Sequence, residues 1–189
     1  FLSRLELSRS GVHSPSQAGI WGRESEGSCS IVLSGGYEDD IDNLDYISYT
    51  GQGGQDSKGR QINDQEFTRG NRGLQLCHEH KLPVRVSRGY QIANGPDKGY
   101  RYDGLYYVTS YEHVRGKSGF KVCRFHLESE LTLKNLEEKF KSLGIVNNKV
   151  VFTCGSSVTA SVLGVAYSLI NNTYMPTIYV GSWSEYGKK

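Results

Sequence analysis

The order of apolar and polar residues divides the chain into two regions. Up to about residue 130, short apolar runs separated by Gly, Asn and Asp predict β-strands, and the last run places Val122 and Phe125 on opposite, partly covered faces. A short helix is predicted over residues 67–80, where apolar residues recur at helical spacing. The predicted strands cover residues 29–34, 82–88, 104–111 and 119–127.

The spacing of apolar residues changes in the second region, after about residue 130. Leu136 and Phe140 lie on one helical face, and Gly144 supplies a stop signal. A strand at 149–153, a helix at 156–170 and a second strand at 177–180 follow. The pattern therefore predicts an α+β chain, mostly β with short helices over residues 1–130 and an α/β fragment over residues 131–189.

The composition fits one folded domain with room for a fragment. The 189 residues are 37% hydrophobic and include 13 Tyr, 6 Phe and 2 Trp, enough to bury a core. The longest mainly apolar stretch, near residues 150–170, is interrupted by Thr, Gly and Ser, so we expect no membrane partner. Four widely spaced cysteines without a CxxC pair, and a start that lacks a signal-peptide pattern, favour an intracellular protein with reduced thiols.

The formal net charge of +2 alone gives no support to non-specific binding of nucleic acid. The charge is unevenly distributed, however. Residues 38–45 contain five acidic residues, whereas residues 46–130 contain 13 Lys and Arg against 9 Asp and Glu. Near-neutrality is thus the sum of an acidic segment and a mildly basic remainder, and it does not exclude DNA as a ligand.

The densest polar cluster combines glycines, tyrosines and carboxylates over residues 34–42 and 49–54. Glycine pairs let a backbone approach a ligand closely, and two tyrosines beside a carboxylate offer flat faces with a hydrogen-bond acceptor between them. A planar, neutral ring such as a flipped nucleobase suits that combination. A solvated acidic turn and a Ca²⁺ loop are the alternatives, although the run lacks the EF-hand spacing.

Seven separate blocks resemble the SET- and RING-associated (SRA, or YDG) domain in order and spacing, over about residues 1–128. The blocks lie at residues 10–20, 35–40, 49–51, 68–71, 83–86, 102–106 and 117–120. The resemblance implies a PUA-like β crescent or barrel that binds double-stranded DNA. It also implies that the domain flips a 5-methylcytosine, or in some members a 5-hydroxymethylcytosine, into a pocket.

The resemblance assigns roles to residues of the polar cluster. Tyr37 and Tyr49 would sandwich the base, and Asp40 would accept from its N4 amino group, which predicts cytosine over thymine because thymine presents a carbonyl there. Ser34 would line the hollow for the 5-methyl group. Since vertebrate members carry Ala at that position, the preference between the two modifications stays open. The backbone at Gly36 and Thr50 would close the remaining edge of the base.

The predicted DNA contacts lie outside the pocket. Gln17 falls where the family places a residue in the gap left by the flipped base. The loop at residues 55–66 is shorter than in vertebrate members and offers Lys58 and Arg60, so selectivity for hemimethylated DNA is not carried over. The basic residues nearest the matched blocks are the predicted phosphate contacts: Arg23, Arg69, Arg72, Arg88 and Lys117. We expect Asp103 to be structural.

The second region raises a separate hypothesis centred on Cys154. This cysteine lies between a predicted strand and a predicted helix, where the helix dipole would lower the pKa of a thiol. With residues 181–187, the region resembles the C-terminal half of a rhodanese domain of the mercaptopyruvate sulfurtransferase type. That resemblance implies Cys154 as a persulfide carrier, although 59 residues with two strands cannot complete the family's sheet.

Two functions therefore follow from the sequence. The first is a reader of modified cytosine over residues 1–130, without catalysis of its own, fused to or associated with a histone-modifying or nuclease effector. The alternative is a thiol-dependent sulfurtransferase that uses the partial rhodanese-like fragment over residues 131–189. We expect no cofactor and no metal, because residues 77–80 (Cys-His-Glu-His) lack a second pair at zinc spacing. A reader would act in the nucleus of a eukaryote, or in the cytoplasm or nucleoid of a bacterium.

Overall fold

The computed structural model describes residues 1–130, 132–145, 148–154, 158–171 and 173–179. It forms two compact units, Phe1–Glu130 and Leu131–Lys189. The first unit contains helices α1 (Arg4–Arg9) and α2 (Arg69–His80) and strands β1 (Ile20–Arg23), β2 (Gly27–Leu33), β3 (Ile41–Asp42), β4 (Tyr46–Thr50), β5 (Pro83–Gly89), β6 (Tyr100–Arg115) and β7 (Lys121–Ser129). The second contains α3 (Leu133–Ser142), β8 (Val151–Phe152), α4 (Val158–Ile170) and β9 (Thr177–Ile178).

The first unit is built on one seven-stranded sheet in the order β1-β2-β5-β6-β7-β4-β3. Strands β2 and β5 are parallel, and the other neighbours are antiparallel. The four predicted strands and helix α2 are confirmed to within a few residues, except that β6 is longer than predicted. The short elements α1, β1, β3 and β4 were not predicted.

Helix α2 and the sheet enclose the core of this unit. Leu74 and Cys77 of the helix are buried, and so are Phe125 and Leu127 of strand β7. Full burial of one such large apolar side chain contributes about 1.5–3 kcal/mol. Val122, on the other face of β7, is also buried, which confirms that both faces of this strand are covered.

The sheet is rolled rather than flat. Strands β5 and β3 are four positions apart, which corresponds to about 19 Å in a flat sheet at the usual strand spacing. Arg88 on β5 nevertheless contacts Asp42 on β3, with Nη2 and Oδ1 2.7 Å apart. The sheet therefore curls into a partial barrel, and its seam brings the end of β2 close to β4.

The second unit confirms the predicted order of helix, strand, helix and strand. Strands β8 and β9 are parallel and are connected through α4, as in a β-α-β unit. Phe140, Phe152 and Tyr167 form its core. The predicted boundaries at residues 156 and 180 lie outside the described residues. Within the described part of the chain, no helix is long and apolar enough to cross a membrane.

Candidate functional site

A cavity of about 370 Å³ opens at the seam of the rolled sheet. Five of the six predicted pocket residues line it: Ser34, Gly36, Tyr37, Asp40 and Tyr49. The sixth, Thr50, contributes its backbone N–H to Asp40. These residues come from the end of β2, the following loop and β4, so the curl of the sheet is what brings them together.

Asp40 is the charged group of the cavity. The backbone N–H of Thr50 donates to its Oδ1 at 2.7 Å. Burial raises the pKa of Asp40 to about 6, and the nearby carboxylates of Asp39 and Asp42 add to the rise, while the Thr50 hydrogen bond opposes it. The group is therefore mostly ionised at neutral pH. Because a carboxylate can accept about four hydrogen bonds, Asp40 keeps capacity for a ligand's amino group.

The two tyrosines of the cavity differ in burial. Tyr49 is only 3% exposed, and burial raises its pKa well above the ordinary value. Tyr37 is half-buried, burial raises its pKa as well, and its hydroxyl accepts the N–H of Gly53 at 3.2 Å. Both rings are therefore neutral at physiological pH and contribute aromatic surface to the cavity.

The rim segment at residues 15–19 is fixed by two donors. His13 is fully buried, and burial lowers its pKa to about 4, so the ring is neutral at pH 7. Its Nε2 donates to the carbonyl of Ala18 at 2.9 Å, while Nδ1 accepts from the hydroxyl of Ser30 at 2.8 Å. Arg4 donates to the same Ala18 carbonyl. Gln17, on the exposed side of this segment, is held at the mouth of the cavity.

The loop after β4 is braced by side-chain amides. Asn71 of α2 donates from Nδ2 to the carbonyl of Gln52 at 2.9 Å and accepts the N–H of Gln52 on Oδ1 at 2.8 Å. Gln55 donates from Nε2 to the carbonyl of Gly36 at 3.0 Å, which ties this loop across the cavity. Sequence reasoning did not assign several lining residues, because they come from separate segments: Ala18, Gly19, Val32, Gln52 and Gln55.

Most of the predicted DNA contacts lie on the surface. Arg69 is exposed and lines a second cavity, which shares Ala18 and Gln52 with the first. Lys58 is exposed on the loop after β4. The others have partners in the structure: Arg23 with Glu26 (2.8 Å), Arg60 with Asp56 (2.8 Å), Arg72 with Glu79 (2.9 Å), and the Lys117 ammonium with the carbonyl of Glu38.

Arg88 corrects one prediction. It is 1% exposed, and its five N–H groups reach acceptors on Asp42, Asp103, Tyr106 and Leu44. A buried guanidinium with every donor bonded cannot reach a phosphate, so its assignment as a DNA contact is wrong. Burial opposes its charge, but the hydrogen bonds to Asp42 and Asp103 hold the pKa of Arg88 above its ordinary value. Asp103, which we expect to be structural, is one of the acceptors of this cluster.

The second candidate site, at Cys154, is only partly described. Cys154 is half-buried, and its Sγ accepts the backbone N–H of Ala160 in helix α4 at 3.3 Å. Residues 155–157 and 181–187, which carry the rest of the rhodanese resemblance, lie outside the described residues. Across the described ranges, no group of three His, Cys, Asp or Glu residues could hold a metal ion.

Comparison with protein families decides the identity of the first unit. The family model of the SAD/SRA domain matches residues 1–131. The chain belongs to the SAD/SRA family. The SRA domain is 43% identical to the E3 ubiquitin-protein ligase UHRF1 of Rattus norvegicus, over 68% of this chain and 20% of that protein. It is 49% identical to the H3 lysine-9 specific histone-lysine N-methyltransferase SUVH4 of Arabidopsis thaliana, over 52% of this chain and 16% of that protein.

The chain thus spans about a fifth of the length of these curated relatives. Among solved structures, a modification-dependent TagI restriction endonuclease superposes with a TM-score of 0.67 at 41% identity, over 71% of this chain and 49% of that one. The SUVH5 SRA bound to fully hydroxymethylated CG DNA superposes with a TM-score of 0.59 at 41% identity, over 68% of this chain and 85% of that one. These matches confirm the mostly β SRA fold with few short helices. The family match ends at residue 131, so it gives no support to a rhodanese-like fragment beyond it.

Proposed function

We propose that the SRA domain binds duplex DNA and takes a modified cytosine, flipped out of the base stack, into the cavity around Asp40. The observation that carries the proposal is a half-buried, desolvated carboxylate that lines, together with two tyrosines, a cavity large enough for a base. An ionised Asp40 accepts from the N4 amino group of cytosine and repels the carbonyl that thymine presents at the same position.

Other lining residues fit particular parts of the nucleotide. Ser34 and Val32 lie together in the lining and would contact the substituent at C5 of the base. Gln17, at the mouth, would fill the gap in the duplex and bond the orphaned guanine. Related SRA domains from SUVH5 have been solved with methylated and with hydroxymethylated DNA, which supports a ligand of this class.

Contacts to the DNA backbone would supply the non-specific part of the affinity. Arg69 is the favoured phosphate contact, because it is exposed beside a cavity that adjoins the base cavity. Lys58 is a second, on the exposed loop after β4. With few such contacts, we expect modest non-specific binding and a shallow dependence on salt concentration.

The test compares three duplexes that differ at one position, 5-methylcytosine, 5-hydroxymethylcytosine or cytosine, at one stated salt concentration. The wild-type domain should prefer the modified duplexes. Asp40→Asn keeps the shape of the side chain and the Thr50 hydrogen bond but removes the charge, and should weaken binding to both modified duplexes by about tenfold or more. Equal affinity of the wild type for all three duplexes would contradict the proposal.

The SRA domain is proposed as a binding module without catalysis of its own. The ligase, methyltransferase and endonuclease activities named for the similar proteins belong to much longer chains. By analogy, an effector of the histone-modifying or nuclease class would act on what this domain binds. A reader of this kind would act inside the cell, in the nucleus of a eukaryote or in the cytoplasm or nucleoid of a bacterium.

A sulfurtransferase centred on Cys154 is the second candidate, and one observation favours it. Its sulfur accepts an N–H from the first turns of α4, where a thiolate is stabilised by the helix dipole. The assay is thiocyanate formation from cyanide with mercaptopyruvate or thiosulfate as the donor. A rate that is the same in the wild type and in Cys154→Ser removes this candidate.

A further inference from the structure

The base cavity and the buried Arg88 cluster share one short segment of chain. Strand β3 consists of Ile41 and Asp42, lies at the edge of the sheet, and has β4 as its neighbour. Asp40, the carboxylate of the cavity, comes immediately before it. Because a two-residue edge strand is only weakly held by its own ladder, the place of Asp40 depends on what fixes this segment from the other side.

Arg88 supplies that restraint from strand β5. Its Nε donates to Asp42 Oδ2 at 2.8 Å and its Nη2 to Asp42 Oδ1 at 2.7 Å, a two-point contact that sets both position and orientation of the carboxylate. Nη2 also donates at 2.7 Å to the carbonyl of Leu44, which has a φ of 63° in the turn between β3 and β4. One side chain thus holds the strand and the turn that follows it.

Two further hydrogen bonds complete the restraint. Nδ2 of Asn94 donates to the main-chain carbonyl of Asp42 at 2.8 Å, so both the backbone and the side chain of Asp42 are fixed. Two residues earlier, Asp40 receives the N–H of Thr50 on Oδ1 at 2.7 Å. The position of the Asp40 carboxylate is therefore restrained from two sides, by Asp42 along the chain and by the Thr50 N–H of strand β4.

We infer that Arg88 is a positioning residue for base recognition, which acts through Asp42 to set the place of Asp40 in the cavity. The inference rests on the proposed function. Hydrogen-bonded recognition of a base depends on donor and acceptor positions to within about 0.5 Å. Loosening the contact between Arg88 and Asp42 therefore weakens discrimination between 5-methylcytosine and thymine, while binding to the DNA backbone is unaffected.

Two substitutions of the same shape separate positioning from stability. Asp42 and Asp103 each accept arginine N–H groups on both carboxylate oxygens, and both contact Arg88. Asp42→Asn and Asp103→Asn each remove one carboxylate charge from the same guanidinium, which Asp42 binds through two hydrogen bonds and Asp103 through one. Asp103 lies on β6, away from the segment that carries Asp40, so Asp103→Asn is the matched control.

The measurement is the ratio of Kd values for duplexes with one thymine or one 5-methylcytosine opposite guanine, at pH 8 and one salt concentration. The two bases share the 5-methyl group and differ at the edge that Asp40 reads. A smaller folded fraction lowers both affinities equally and leaves the ratio unchanged. Asp42→Asn should reduce the ratio by about tenfold, the effect of weakening one hydrogen bond to a charged group. Asp103→Asn should keep the ratio within about twofold of the wild-type value, even if it lowers the Tm as much as Asp42→Asn does.

Two results overturn the inference: a ratio retained in Asp42→Asn, or an equal loss of the ratio in both variants. If Asp42→Asn does not fold, Arg88→Lys, which keeps the charge but cannot make the two-point contact, is measured in the same way and must show the loss. A wild-type domain without any preference contradicts the proposed function itself, and with it this inference, so the two failures are distinguishable.

Discussion

Asp40 and Asp42 lie two residues apart and meet opposite environments. Asp42 is bound by the buried guanidinium of Arg88 through two hydrogen bonds of 2.7 and 2.8 Å. Asp40 is half-buried in a cavity that two tyrosines also line, receives a neutral N–H, and has its pKa raised to about 6 by desolvation. A buried charge whose counter-charge is in place supports the fold, whereas a carboxylate buried without one keeps its capacity to bind a ligand.

The contrast shows that the rolled sheet places stabilising contacts and ligand-binding groups on different residues: Arg88 and its partners stabilise the fold, and Asp40 is left to bind the ligand. The same seam contains the ion cluster of Arg88 and the cavity of Asp40, on one continuous segment. A ligand site that is itself destabilising can persist because the cluster next to it is fully bonded. Substitutions at the two carboxylate sites should therefore have stability effects of opposite sign.

The largest effect is expected from Arg88→Met. It leaves Asp42 and Asp103, whose side chains are 12% and 14% exposed, without their shared cation, which should lower the free energy of unfolding by about 3–5 kcal/mol. The measurement is urea denaturation at pH 7.5. The control is Arg72→Met, because Arg72 pairs with Glu79 at 35% exposure and should contribute no more than about 1 kcal/mol. Equal losses in the two variants would contradict the comparison.

Asp40→Asn should instead stabilise the protein at pH 7.5. Ionised Asp40 is unfavourable in the folded state, and a pKa near 6 against an unfolded value of 3.8 corresponds to about 1–3 kcal/mol. Asparagine keeps the acceptor for Thr50 without the charge. Thermal and urea unfolding at pH 7.5 measure the gain.

The size of this gain depends on pH. Between about pH 6 and 4 the folded wild type binds the proton that the unfolded chain has released, so its penalty disappears as the pH falls. The advantage of Asp40→Asn should therefore shrink from pH 7.5 to pH 4.5. An advantage that is constant over this range would show that charge burial is not its cause.

Sequence reasoning succeeded where the pattern is long or the motif is local. Strands β2, β5 and β7 and helix α2 have clear alternation or helical spacing. The family resemblance assigns six residues to the pocket: Ser34, Gly36, Tyr37, Asp40, Tyr49 and Thr50. Strand β3 was missed because two residues are too few to show an alternation of apolar and polar positions. Strand β4 was missed because its last residues, Tyr49 and Thr50, were interpreted as part of the polar cluster and not as a strand.

Arg88 could not be assigned from sequence because charge does not reveal burial. Its partner Asp42 is 46 positions away, and only the curl of the sheet brings the two together. The bracing roles of His13 and Asn71 escaped for the same reason, although each lies inside a block of the family resemblance. Side chains that act through long-range contacts leave little local signal.

A smaller effect is expected at the glycines of the cavity wall. A Cβ at Gly19 would lie 2.7 Å from the hydroxyl of buried Tyr49, so Gly19→Ala must displace that ring and should cost about 1–2 kcal/mol. At Gly36 a Cβ meets no atom within 4 Å, so Gly36→Ala should change stability by less than about 0.5 kcal/mol. Chemical denaturation of both variants checks this. The reverse order would show that the wall is not formed as described.

The smallest effect concerns Arg69, the proposed backbone contact, as opposed to Asp40, the proposed base contact. Arg69→Ala should weaken binding to modified and unmodified duplexes alike, by about three- to tenfold, and should lower the salt slope by about 1. Lys81→Ala is the matched control, because Lys81 is exposed at the opposite end of α2, about 18 Å away along the helix. The measurement is Kd at several salt concentrations. If Arg69→Ala changes the ratio between the two duplexes, then Arg69 reads the base rather than the backbone, and recognition is not confined to the cavity.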